Sequence, residues 1–170
     1  MNFEKCLSLL LEHEGGYSNL KNDNGGMTNL GVTSRVWEEW VGHPVDEKQM
    51  RELTPELVAP LYKRKYWDAI RADELPNGLD YCVFDCAVNS GVGRAVKVLQ
   101  NCLGVNPDGG FGTLTMAAVS QFKNDSLRTL ITEYCDDRLK FLEALPSWKD
   151  FGHGWERRVL EVKVTALGMI

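Results

Sequence analysis

The sequence predicts an all-α, mainly helical protein, and three observations carry that prediction. Apolar residues recur at helical spacing in one segment after another, no alternating strand pattern persists, and short Gly- or Asn-containing breaks separate the segments. A chain of 170 residues that is 44% hydrophobic and 25% charged can bury a sizeable core. The same composition excludes a disordered chain, a collagen and a coiled-coil rod.

The first helix runs from Phe3 to Glu14. At roughly 100° per residue, Phe3, Leu7, Leu10 and Glu14 share one face with Cys6 and Leu11 beside them, whereas Glu4, Lys5, Ser8 and Glu12 lie opposite. Gly15-Gly16 ends it. Residues 15–31 then read as a Gly-rich loop or a small hairpin. Thr54-Pro55 is a cap followed by proline in the first turn, and Leu57, Val58, Leu61, Tyr62 and Tyr66 continue that helix. Leu79, Val83, Cys86 and Ala87 mark a helix over 79–90 that ends at Asn89-Ser90-Gly91. Val96, Leu99 and Leu103 mark the next, over 93–103, stopped by Gly104. Thr113 is the expected cap of a helix carrying Leu114, Ala118 and Phe122. A long helix follows Asp125-Ser126, with Leu127, Leu130, Ile131, Tyr134, Arg138 and Leu142. The last runs from Trp155 through Val159, Val162 and Ala166 to Gly168, after a Gly-rich loop at 152–154. No linker or repeat interrupts the chain, so a single domain over 1–170 is expected.

A net charge of −5 argues against generic binding to nucleic acid or anionic lipid. The longest aliphatic run near the start is Leu9-Leu10-Leu11, too short for a signal peptide core or a membrane span. Synthesis in the cytoplasm without stable membrane insertion is the expectation. The five cysteines (Cys6, Cys82, Cys86, Cys102, Cys135) read as buried thiols, and His13, His43 and His153 are scattered. No metal site and no cofactor are expected.

Glu14 is the informative residue. A carboxyl on the core-facing side of a helix is costly unless paired or protonated. General acid catalysis needs that environment, because desolvation and the negative end of a helix dipole both favour the protonated form. The alternative is a structural pairing with a buried arginine such as Arg138 or Arg94. The polar, Gly-rich stretch from Tyr17 to Thr33 follows at once. Within it Asp23 supplies a second carboxylate and Thr28 a hydroxyl, with Thr33 as a competing hydroxyl. Two carboxyls and a group that holds water are the parts needed for glycoside hydrolysis.

The run Glu14-Gly15-Gly16-Tyr17-Ser18-Asn19, continued by Asp23, Gly25-Gly26, Thr28-Asn29 and Gly31-Val32-Thr33, resembles glycoside hydrolase family 108. These are N-acetylmuramidases of phage endolysins and prophage lysis proteins. The likeness extends through Leu61–Asp68, Leu75–Asp80, Val83–Gly91 and Phe151–Val159, so it covers essentially the whole chain. It implies a lysozyme-like helical fold and cleavage of the β-1,4 bond between N-acetylmuramic acid and N-acetylglucosamine, with Glu14 as proton donor. The Glu14 to Asp23 spacing is also similar to that of T-even phage lysozymes, but Thr28 stands five residues after Asp23 where those enzymes have six. Asp23 would then stabilise positive charge or position water, and Thr28 would hold that water. Residues 1–90 would form a catalytic half and 91–170 a helical half. The latter contains the Asp108-to-Thr113 loop, which resembles the DGxxGxxT loop of peptidoglycan-binding modules and reads otherwise as a tight turn.

Tyr17, Asn29, Tyr81 and Asn89 are the expected substrate-binding residues, Asn89 through an amide exposed at a helix end. Asp85 reads as structural, paired with Arg94 or Arg138. Peptidoglycan strands are the expected partner, reached by a monomer after holin-dependent release from the cytoplasm. Two rival readings are a lytic transglycosylase, which leaves 1,6-anhydro products, and a non-catalytic wall-binding protein.

Overall fold

Helix α1 (Asn2–His13) forms where the apolar stripe predicts it and buries Phe3, Cys6, Leu7 and Leu10. The computed structural model describes residues 2–20 and 26–170. Within it the chain falls into two compact units, residues 1–65 and 66–170.

In the first unit the Gly-rich segment is a small sheet. Strands β1 (Ser18–Asn19), β2 (Met27–Asn29) and β3 (Val32–Thr33) pair antiparallel in that order. Thr28 stands opposite both Ser18 and Thr33, and Asn29 opposite Val32. Leu30 and Gly31 join β2 to β3 with φ of 51° and 75°. Two successive left-handed residues give the twist that a two-residue hairpin requires.

Helix α2 (Ser34–Val41) follows directly, with the Thr33 side chain accepting from Val36 N at 3.2 Å. Helix α3 (Glu47–Arg51) opens on a reciprocal cap between Asp46 and Gln49. Neither helix was expected, because each is too short to show a periodic stripe. Helix α4 (Pro55–Tyr62) has the predicted Thr54 cap. It does not continue as α-helix to Tyr66. Pro60 removes one backbone donor, and the chain widens into a π-helical turn, Lys63–Trp67.

The second unit contains a 3₁₀ turn (Ala72–Glu74) and helices α5 (Leu79–Ser90), α6 (Val92–Leu103), α7 (Thr113–Val119), α8 (Asp125–Glu143) and α9 (Trp148–Leu167). Helix α5 packs against α6, α8 and α9, and every residue from Leu79 to Ala87 is buried. A helix covered on all sides must satisfy its polar residues internally. Asp80 Oδ1 accepts from Gly78 N at 2.9 Å and Tyr81 N at 2.7 Å. Asp85 meets Arg138 and Arg158 at 2.7 and 2.9 Å. Arg94 takes no part in this ion group; its guanidinium lies 4.4 Å over the Phe141 ring.

Two expected helix starts are corrected. Gly112, not Thr113, is the cap of α7, and it makes no side-chain capping bond. Helix α9 begins at Trp148 and runs straight through Gly152 and Gly154. A Cβ at Gly152 would fall 2.6 Å from Trp148 Cε2, so this glycine makes room for an indole instead of breaking the helix. All five cysteines are free thiols, and all but Cys102 are buried.

Candidate active site

Glu14 stands just past the end of α1, its backbone N–H donating to Leu11 O at 3.2 Å. The hairpin is tied to this helix end by Leu30 N donating to Gly15 O at 3.2 Å. That bond presses the 30–31 turn onto Glu14. A Cβ on Gly31 would sit 3.0 Å from Glu14 Cγ and Cδ and 2.6 Å from Tyr62 Oη. The Glu14 side chain and the Tyr62 hydroxyl therefore meet against the same α-carbon. A side chain there would collide with both, and the positive φ of Gly31 would strain it as well. Tyr62 is buried and donates to Leu30 O at 2.7 Å, which fixes the turn from the α4 side. Glu14 is half-buried. This is a carboxyl held by a rigid backbone turn, with part of its surface left open.

Thr28 is half-buried at the centre of the sheet. Directly paired residues share a face, so Ser18, Thr28 and Thr33 form a row of hydroxyls across the three strands. Thr33 is committed to capping α2. Thr28 has no such helix to cap. Asp23 lies outside the described residues.

Of the expected binding residues, Tyr17 and Asn29 belong to the first unit and Tyr81 and Asn89 to the second. Asn29 is buried, and its amide donates to Met50 O at 2.9 Å, so it anchors the sheet to α3. Tyr17 has its ring under the Arg51 guanidinium at 4.0 Å, and its buried hydroxyl makes no hydrogen bond among the described residues. Arg51 is itself held by Glu47 at 2.7 Å. In the second unit Tyr81 is 1% exposed, which leaves no ring face for a sugar. Asn89 is half-buried at the end of α5, its Oδ1 accepting from Arg138 Nη2 at 3.3 Å. Arg138 and Arg94, the two arginines considered as partners for Glu14, sit on Asp85 and on Phe141.

Sequence reasoning missed Tyr62 and Ser18. Tyr62 occupies an apolar position of α4 and reads as core from its spacing. Ser18 becomes visible only through the strand register.

The Asp108 loop is closed on itself by buried Gln100. Its Nε2 donates to Asp108 Oδ1, Gly110 O and Thr115 Oγ1 at 2.9, 3.0 and 3.1 Å, and its Oε1 accepts from Gly109 N at 2.9 Å. Among the described residues no cluster of His, Cys, Asp and Glu is arranged to hold a metal ion. No helix among them is long and apolar enough to cross a membrane.

Comparison with known proteins bears on both units. A family model described as Glycosyl hydrolase 108 matches residues 7–91, and one described as "Predicted Peptidoglycan domain" matches residues 94–160. Similar solved structures include that of Brucella abortus SagA, at 38% identity and a TM-score of 0.85, with 99% of this chain and 95% of that chain covered. No curated protein matches the chain by sequence.

Proposed function

The chain belongs to the glycosyl hydrolase 108 family and is a glycoside hydrolase of peptidoglycan with a lysozyme-like fold; from that premise we propose an N-acetylmuramidase with Glu14 as its general acid. The observation that carries this reading is the packing of the half-buried Glu14 side chain against the Gly31 turn beside Tyr62. A proton donor must be held in one place while the substrate bond is broken, and a backbone turn holds it more firmly than a flexible side chain would.

In this reading Glu14 gives its proton to the glycosidic oxygen as the bond to C1 of the N-acetylmuramic acid residue breaks. Water adds to C1 and gives up a proton. Asp23 stabilises the positive charge that develops at C1 or takes the proton from that water. Thr28 holds the water; the commitment of Thr33 to the α2 cap favours Thr28 over it. The biological setting is lysis of a bacterial host, with the protein reaching the wall through a holin lesion, as for the phage endolysins whose Glu14-to-Thr33 block it resembles.

Digestion of purified sacculi in ¹⁸O-labelled water tests the reaction. Each new reducing N-acetylmuramic acid end should carry one labelled oxygen by mass spectrometry. Unlabelled 1,6-anhydro ends would make the enzyme a lytic transglycosylase, and binding without sugar release would make it a wall-binding protein.

A further inference from the structure

The side-chain amide of Asn89 is oriented by its surroundings. Its Oδ1 accepts from Arg138 Nη2 at 3.3 Å and lies 3.5 Å from the Ser90 hydroxyl. A guanidinium can only donate, so the amide oxygen must face Arg138 and the Nδ2 donors must face away from it. Arg138 cannot swing aside, because it is buried and bound to Asp85 at 2.7 Å. The two Nδ2 hydrogens have no partner among the described residues.

Beside this amide is a cavity of about 200 Å³, lined by Asn89, Ser90, Phe141, Leu142, Leu145 and Trp155. Phe141 lies under the Arg94 guanidinium, and Trp155 is braced by Trp148 and Phe151 at centroid distances of 6.3 and 5.7 Å. A fixed amide donor, two aliphatic side chains and an aromatic wall match one chemical group well. An acetamido substituent offers a carbonyl to accept from the donor and a methyl to rest on the leucines, while its sugar ring presents C–H faces to an indole.

We propose that this cavity is a subsite for one N-acetylhexosamine ring of the glycan strand, with Asn89 Nδ2 reading the acetamido carbonyl and Trp155 packing on the ring. The subsite rests on the reading of the chain as a glycan hydrolase but does not depend on Glu14 being its acid. Arg138 acts as a positioning residue, through the orientation it imposes on Asn89.

The test uses the full chain carrying Glu14→Gln and two neutral probes: the β-1,4 tetramer of N-acetylglucosamine, and cellotetraose, which has hydroxyls in place of the acetamido groups. Calorimetric titration should show at least about tenfold preference for the acetylated tetramer, the worth of one well-made hydrogen bond with its apolar contact. Asn89→Asp keeps an oxygen for Arg138 and removes the donor, so it should abolish the preference while the melting temperature holds. Trp155→Ala should weaken both tetramers. If Asn89→Asp does not fold, the side-chain NH₂ resonance of the unmutated Asn89 gives the same answer, shifting with the acetylated tetramer and not with cellotetraose. Retention of the preference in folded Asn89→Asp, or an unmoved NH₂ resonance, overturns the subsite. Should the chain with Glu14 intact cleave sacculi while either of those results is obtained, the subsite falls and the hydrolase reading stands. Should the chain with Glu14 intact release no sugar while the preference depends on Asn89, the reverse holds.

Discussion

At the scale of single residues the proposed chemistry rests on Glu14 and on its packing against Gly31 and Tyr62. Helical phase placed Glu14 from sequence alone, since its position relative to Phe3, Leu7 and Leu10 requires no tertiary information. Phase could not show what Glu14 rests against, because Gly31 and Tyr62 reach it through a hairpin and a separate helix. Asn29 shows a related limit of the sequence. Polar residues in a Gly-rich stretch resemble ligand-binding groups until the register turns one of them inward, and here the inward one holds Met50 O. Gly31→Ala follows from this geometry. The left-handed φ alone should lower stability by about 1–2 kcal/mol, read as a shift in the urea midpoint. The added methyl displaces Glu14 or Tyr62, and a displacement of that size should lower kcat on sacculi by about a hundredfold. An alanine variant with unchanged kcat would mean that Glu14 does not need the turn.

Helices α5 and α9 show how far element-level patterns reach. The 79–90 boundaries of α5 were legible from Leu79, Val83 and the Asn89-Ser90-Gly91 stop, but its complete burial was not. Asp85 read as structural and Arg138 as one of its two candidate partners, and the structure supplies Arg138 together with Arg158, while Asp80 enters the core on backbone N–H donors. In α9 the glycines at 152 and 154 hid the first turns, and at Gly152 packing on the Trp148 indole leaves the same letter in the sequence as a loop. The ion group under α5 gives a prediction with a definite sign. Burial pushes the Asp85 carboxyl up, but the Arg138 and Arg158 guanidiniums outweigh it and hold it below its ordinary value of 3.8. A lowered carboxyl contributes stability that is complete above the unfolded-state value and is lost as pH falls through the lower folded value. Asp85→Asn should therefore cost about 3–5 kcal/mol at neutral pH, by leaving two guanidiniums without their carboxylate. Urea melts should show that gap constant down to about pH 4 and closing below it. A gap that widens in acid would contradict the assignment.

For the whole molecule, the family boundary and the packing boundary differ. The hydrolase match ends at residue 91, yet α5 belongs to the second compact unit through its contacts with α6, α8 and α9. The motifs say where the chain is related to other chains and not which helices cover one another. A fragment ending at residue 91 should thus leave α5 without its core partners, and its helical circular dichroism should fall well below that of the same residues in the full chain. A fragment that keeps α5 protected from hydrogen exchange would place the boundary where the motifs do. The account as a whole stands on one carboxyl. The most direct measurement is the release of reducing sugar from purified sacculi by Glu14→Gln beside the unmodified chain, with circular dichroism confirming the same fold. Loss of the general acid should lower the rate by about 10²–10⁴-fold; release at the unmodified rate would contradict the account.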